Sequence, residues 1–596
     1  MASVPERSEI DLEYRWSLNT VYESDEAWES DFVNLQERVS TLSEYASADL
    51  TDPEPLYEVL SLRDEIMREL STLAAYARMR RDEDTRNQEY QAMVARSQSL
   101  QSKAASAASF IEPAIQQLDR DEVSNLIETN PELDTYEHYL DNILRLKPHT
   151  RSSEVEEVLA DLSEVTGASG EVYQTLTNAD MEFPSTEGPD GDSINITLSN
   201  FTTLQKNPDR DTRRRVYETF YDKWESVRNT VGRAYEKSVR SDVKHAQIRN
   251  YDSAREAALH SSNIPVSVYD TLLDTVQDNL DVLDEHAKLK QDALNVDELR
   301  GWDLYMPVAQ SEGPDIEYET ATEHVTEALG ALGDDYQQRV ADGISSRWVD
   351  VYENKGKQSG AYSGGTYDTQ PFILMNYQDD ISSMYTLAHE LGHSIHSQLT
   401  SENQPYVYSK YDIFVAEVAS TVNEVLLTNH LLETVDNPHF RRHVLNEYLE
   451  RFRSTLFRQT MFASFEHRTH ELIEAGEALT PDRLDEVYGD LKSTFYPSAS
   501  FDDRMSREWM RIPHFYRAFY VYQYATGISA AVDIATRILD GSTDARDAYL
   551  EALKLGGSAY PVDVLETAGV DVTDAGYLES AIEEYERSLD EMKSLQ

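Results

Sequence analysis

The chain has 596 residues, with 53 Lys and Arg against 110 Asp and Glu, a formal net charge of −57. A field of that sign repels nucleic-acid phosphate and anionic lipid, and no basic stripe is long enough to offset it. The absence of Cys excludes disulfides, thiolate metal ligands and a cysteine nucleophile. The 40% hydrophobic content suits a soluble globular chain. No basic start with an apolar stretch marks a secretory signal, and no apolar run approaches the roughly 18 residues of a membrane span. These features predict a cytoplasmic protein with neither nucleic-acid nor membrane partners. Lys is missing from the first hundred residues. Excess carboxylate with scarce Lys is the composition of a chain working in concentrated salt, where the Debye length shrinks to about 3 Å at 1 M. A halophilic source is expected.

Along the chain, the first 170 residues read as successive helices. Ser24-Asp25-Glu26-Ala27 before Trp28 has the chemistry of a helix start. Leu60, Ile66, Leu70, Leu73 and Tyr76 form one apolar stripe, and Leu159, Leu162 and Val165 another. Between about 181 and 205 the pattern changes to turns at Phe183-Pro184 and Gly188-Pro-Asp-Gly191, with alternating Ile194, Ile196 and Leu198. A hairpin-like segment there ends a first domain, 1–205, and a second covers 206–596. Arg213–Arg215 lies in a helical pattern beside Asp209, Asp211 and Glu218 and reads as a salt-bridged exposed face. Residues 301–305 look extended, and a helical stretch follows to about 345. The glycine-rich turn at 356–365 leads to a short apolar strand at 371–377, after which helices run to the end. The fold class is mainly α with a small β-sheet.

The sharpest feature is His389-Glu390-Leu391-Gly392-His393. On a helix, residues four apart lie about 40° apart around the axis and ~6 Å along it, so two imidazoles can hold one ion. Asp379 and Asp380 suit the N-terminus of such a helix. Met384, Leu387, Ala388, Leu391 and Ile395 supply its apolar face. Gly392 costs roughly 1 kcal/mol against Ala inside a helix, which predicts a close backbone approach there. A catalytic zinc ion takes three protein ligands, so one more must come from elsewhere. Glu417, 24 residues beyond His393 and surrounded by Phe414, Val415, Val418, Ala419 and Val422, is the candidate. A carboxylate in that setting is costly to bury unless paired or metal-bound; a salt bridge inside a helix bundle is the alternative. Ser420 and Glu424 could orient the ligand histidines or stand as ordinary exposed polar residues. His396 lies ~10.5 Å along the axis from His389, too far for both rings to share one tetrahedral ion on a straight helix. It is assigned a supporting or substrate-facing role.

Four segments carry a family likeness: Trp348–Ser363, Leu387-Ala-His-Glu-Leu-Gly-His-Ser-Ile-His-Ser397, Phe414-Val-Ala-Glu-Val-Ala-Ser-Thr421 and Phe519-Tyr-Val-Tyr-Gln-Tyr-Ala-Thr-Gly527. Together with Trp16-Ser-Leu and Ser24-Asp-Glu-Ala-Trp28, the sequence resembles oligoendopeptidase F, of the thimet-oligopeptidase-like zinc metallopeptidases, over nearly the whole chain. The resemblance implies a large helical body with a deep substrate channel, a zincin-type HExxH helix with a small sheet beside the active site, and hydrolysis of interior bonds in short unfolded peptides. Carried over by position, it implies one Zn²⁺ per chain held by His389, His393 and Glu417, with Glu390 as general base. It also implies oxyanion donors from the segment His514–Tyr524, with Tyr522 first and Tyr516 and His514 next, although an aromatic core stripe accounts for part of that segment. Gly360, Ala361, Tyr362 and Gly364 are expected to let a peptide backbone approach, with strand 371–377 pairing to an extended substrate; a structural turn is the other reading. Two alternatives to the endopeptidase stand beside it: a metallocarboxypeptidase on a related helical fold, and a non-catalytic helical peptide-binding protein.

Overall fold

A computed structural model describes residues 4–309 and 313–595. Ser24 caps the helix Asp25–Leu42 by accepting from the Ala27 N–H, and Pro53 stands in the first turn of the long helix Pro53–Glu83, where its missing N–H costs nothing. The stripe Leu60, Ile66, Leu70, Leu73 and Tyr76 is buried as its spacing requires. These two helices pack with Gln88–Ala108, and their core takes in Phe372 and Leu374 of a small sheet. The second stripe does not bury: Leu162 and Val165 lie on the helix Ser153–Thr166 but remain exposed. Periodicity shows that a helix is amphipathic, and nothing in it says that a neighbour arrives. Among the described residues, no helix is long and apolar enough to cross a membrane.

Packing gathers the chain into two compact units, each built from three separate stretches: Met1–Lys147, Pro314–Thr434 and Ile534–Gly569 form one, and Pro148–Gly313, Val435–Asp533 and Val570–Gln596 the other. This division follows contact and cuts the chain at places other than the change of sequence character near 205. The first unit contains the three-stranded sheet, whose order is Val349–Asp350, Phe372–Leu374, Tyr362–Gly364. The outer pairs are parallel and antiparallel respectively, with Val349 opposite Ile373 and Ser363 opposite Ile373. Buried Asp350 accepts from Arg7 at 2.5 Å and pairs with Lys357 at 2.7 Å, which ties the N-terminal segment to the sheet. Burial alone would raise the Asp350 carboxyl, but Lys357 and Arg7 hold it below its ordinary range.

The second unit is organised on the 39-residue helix Arg210–Ile248. The hairpin expected between 181 and 205 is present, with Thr186–Glu187 paired antiparallel to Ser193–Ile194. The extended piece expected at 301–305 sits earlier, at Leu299–Arg300, which pairs in parallel with Ala499–Ser500; Gly301–Asp303 is a 3₁₀ turn. The arginine cluster also differs from expectation. Arg214 pairs with Asp211 at the surface, but Arg213 is 1% exposed and pairs at 2.8 Å with fully buried Asp303. A like-signed run of sequence therefore splits between solvent and core according to helix phase.

Candidate metal centre

The HELGH sequence lies within the helix Ile381–Asn403, capped by Asp380, whose carboxylate accepts from the Ser383 N–H at 2.7 Å. Glu417 and Glu424 lie on the helix Ile413–Thr434. The two helices touch at Gly392: a Cβ built there would meet the Ser420 Cα at 2.6 Å and the Ala419 carbonyl oxygen at 2.7 Å. Glycine is required because the neighbour is backbone and cannot swing aside.

That approach brings three donor atoms together. His389 Nε2 and His393 Nε2 are 3.2 Å apart, and Glu417 Oε2 lies 3.6 Å from the first and 3.9 Å from the second. Ligands held at about 2.0–2.2 Å on a tetrahedral ion stand roughly 3.3–3.6 Å from one another, so the trio fits a zinc-sized cation with small adjustments. Each member keeps some access to solvent, with side-chain exposures of 26%, 20% and 26%, as an open coordination position requires. His389 Nδ1 donates to Glu424 Oε1 at 2.8 Å, which fixes the tautomer that leaves Nε2 free to bind. The His393 ring hydrogen-bonds to the Ala416 backbone.

Electrostatics follow from burial and neighbours. Burial disfavours the charged His389 ring, yet the hydrogen bond and charge of Glu424, with Glu390 and Glu417, raise its pKa. Burial and the adjacent His389 push His393 down to about 3, so that ring is neutral and its lone pair available. Glu390 is 7% exposed. Burial raises its proton affinity, against which His389 and a hydrogen bond from the Ser363 backbone work. Ser363 is bound to the same helix again, its hydroxyl 2.9 Å from that of Ser394, which donates to the Glu390 carbonyl at 2.8 Å.

A cavity of about 640 Å³ in this unit is lined by His393 and Glu417, by Ser363 to Thr366, and by Arg78, Arg81 and Lys410. Gly364 lines it directly, and the Tyr362 hydroxyl donates to Asp82 at 2.8 Å. Gly360 adopts φ of +86° with nothing within 4 Å of a built Cβ, and its carbonyl accepts from Asn376; Ala361 follows it, half-buried. The expectation for strand 371–377 is corrected. The strand itself, Phe372–Leu374, is the central one with both edges taken, and the edge strand is Tyr362–Gly364. Since the Ser363 N–H turns outward to Glu390, its carbonyl faces the same side of the ladder.

The remaining residues divide. Ser420 is fully buried, and its hydroxyl lies 3.2 Å from Glu417 Oε2, so it touches a candidate ligand rather than solvent. His396 is 1% exposed and stacks on Tyr411 at 3.6 Å; neither ring nitrogen has a hydrogen-bond partner among the described residues, and burial lowers its pKa to about 3. It is a packed neutral ring. His514, Tyr516 and Tyr522 belong to the other unit. Tyr522 is 1% exposed beside Tyr269, and Tyr516 stacks on Tyr173 at 4.5 Å with its buried hydroxyl unpartnered among the described residues. His514 is half-buried between the rings of Tyr520 and Tyr524, neither of which the sequence reading singled out. The reading also missed the Ser363 amide and the Ala416 carbonyl, backbone groups that no side-chain pattern announces.

The chain matches the family model for peptidase family M3 over residues 203–584 and that for oligopeptidase F over 115–183. It is 41% identical to Oligopeptidase PepF of Bacillus subtilis, with 99% of this chain and 88% of that one aligned. It is 40% identical to Group B oligopeptidase PepB of Streptococcus agalactiae, over 99% and 98%. The solved structure of oligoendopeptidase-F from Enterococcus faecium superposes with a TM-score of 0.74 at 35% identity, covering 96% of this chain and 99% of that one. With its two imidazoles and carboxylate converging beside Glu390, this chain belongs to peptidase family M3.

Proposed function

We propose that the chain is a zinc-dependent oligoendopeptidase that cleaves interior bonds of short, unfolded peptides in a single catalytic centre at His389, His393 and Glu417. The observation that carries this reading is the 3.2–3.9 Å triangle of donor atoms, with buried Glu390 on the same helix. When bound, zinc there supplies Lewis-acid polarisation of a water molecule and of the scissile carbonyl. Glu390, its proton affinity raised by burial, takes the proton of the attacking water and passes it to the leaving amine. The Ser363 amide holds that carboxylate in place, while Glu424 and the Ala416 backbone hold the two imidazoles. An extended peptide lies along the edge strand Tyr362–Gly364, using main-chain groups that do not depend on substrate sequence. Oxyanion donors come from the segment 514–524. Within it Tyr522 stands first, with Tyr516 and His514 next.

An internally quenched peptide tests the proposal. Wild type cuts an interior bond and loses that activity to a chelator, and Glu390→Gln keeps its metal but loses turnover. Equal turnover by Glu390→Gln refutes the assignment of the base. Release of single C-terminal residues without interior cuts selects the metallocarboxypeptidase, and chelator-insensitive peptide binding without products selects the binding protein.

A further inference from the structure

A second group of donors lies outside the centre described above. His324 and Glu327 sit three residues apart on the helix Tyr318–Ala328, and His430 sits on Ile413–Thr434, the helix that carries Glu417 and Glu424. His324 Nδ1 is 3.5 Å from His430 Nε2, which is 3.5 Å from Glu327 Oε2; the three donor atoms all lie within 4.8 Å of one another. The two 3.5 Å separations match the edges of a tetrahedron around an ion with ligands at about 2.0–2.2 Å, and the third lies within 4.8 Å. At 3.5 Å the two ring nitrogens stand at the outer limit of a hydrogen bond, so a direct N–H···N bond explains their meeting poorly.

Other features agree. Among the described residues, Glu327 has no Lys or Arg partner; its sole ion-pair contact is His430. Two imidazoles and one carboxylate select zinc-class transition ions over Mg²⁺ or Ca²⁺, which take oxygen ligands. His430 lies 13 residues beyond Glu417, about 20 Å along the helix, so the same ion cannot serve both groups.

We propose that His324, Glu327 and His430 form a second, zinc-class metal site that staples the helix Tyr318–Ala328 to the helix bearing Glu417. Glu327 is 68% exposed, where water competes for its place, so this site is the weaker of the two and fills as free zinc rises. Its ion supports the far end of a catalytic helix and takes no part in peptide cleavage.

The test is equilibrium dialysis of the full-length protein against increasing Zn²⁺, with bound metal counted by mass spectrometry. Wild type reaches two equivalents. His430→Gln and His324→Ala each stop at one and retain peptidase activity at limiting zinc, while His389→Ala keeps the weaker equivalent. Added Zn²⁺ beyond the first equivalent raises the melting temperature of wild type and leaves that of His430→Gln unchanged. Co²⁺ in place of Zn²⁺ shows a second set of tetrahedral visible bands in wild type and loses it in His430→Gln. Saturation of wild type at one equivalent, or a second equivalent that survives both substitutions, overturns the proposal. Loss of the only bound metal in His389→Ala, with none lost in His430→Gln, would leave the catalytic reading intact and refute this one alone.

Discussion

Replacing Gly392 by Ala sets local and tertiary preferences against each other. In an isolated helix the change is favourable by about 1 kcal/mol. In this protein the new Cβ would lie 2.6 Å from the Ser420 Cα, where ordinary contact begins at 3.4 Å, so the facing helix must retreat by about 0.8 Å. Overpacking of this kind costs roughly 1–3 kcal/mol, which leaves a net loss of up to about 2 kcal/mol. The larger effect falls on the metal. Ser420 is one turn from Glu417, so the retreat carries Glu417 Oε2 away from two nitrogens already 3.6 and 3.9 Å distant. Zinc affinity is expected to fall at least tenfold, comparable to the loss of an outer metal-site partner. Competition against a chromophoric chelator measures it, and thermal melts of the metal-free protein measure the packing term separately. A Gly392→Ala variant that melts no lower and binds zinc as tightly as wild type would refute the argument that backbone proximity builds this centre.

Four further outcomes are expected. Glu424→Gln removes the charge that polarises His389 through the 2.8 Å hydrogen bond, and zinc affinity or activity should drop about 10–100-fold with little change in the metal-free melting temperature. Tyr516→Phe should lower kcat by about 10²-fold or more with KM nearly unchanged if its hydroxyl stabilises the oxyanion; an unaltered kcat assigns Tyr516 to packing. Glu450 is largely buried facing Lys290 and Arg453, with the His286 ring beside it; burial alone would raise it, but the two cations, Arg453 foremost, hold it at about 2 against an ordinary 4.5. A depressed folded value stabilises above the unfolded pKa and is lost as pH falls from about 4.5 to about 2. The stability deficit of Glu450→Gln relative to wild type, of order a few kcal/mol at pH 7, should therefore shrink across that window in urea titrations; a constant deficit would contradict the assignment. Finally, the net charge of −57 predicts greater stability and activity in molar KCl than in dilute buffer, and full stability without salt would dismiss the halophilic reading.

What could be read from sequence was whatever is local or repeats with helix period. His389, Glu390 and His393 share one helix, and the glycine between them signalled the close approach found at Ser420. Glu417 was legible because a carboxylate among Val and Phe demands a partner. The tie from Glu424 to His389 was one of two open readings, and geometry decides for it. Other features depend on contacts the chain order hides. Strand edges are invisible to a reading of alternation, so Phe372–Leu374 looked like an open edge when it is the central strand and Tyr362–Gly364 lies at the edge of the sheet. His324 and His430 are 106 residues apart, and no spacing rule connects them. Arg213 shows the same limit from the other direction, a charge that helix phase turns inward onto Asp303.

The most direct measurement is an anomalous-difference map at the zinc edge from crystals soaked with one equivalent of Zn²⁺. The account predicts a peak within about 2.0–2.2 Å of His389 Nε2, His393 Nε2 and Glu417 Oε2, retained in Glu390→Gln crystals whose protein no longer cleaves peptide. A map with no peak there, or with the three side chains turned to different neighbours, would contradict it.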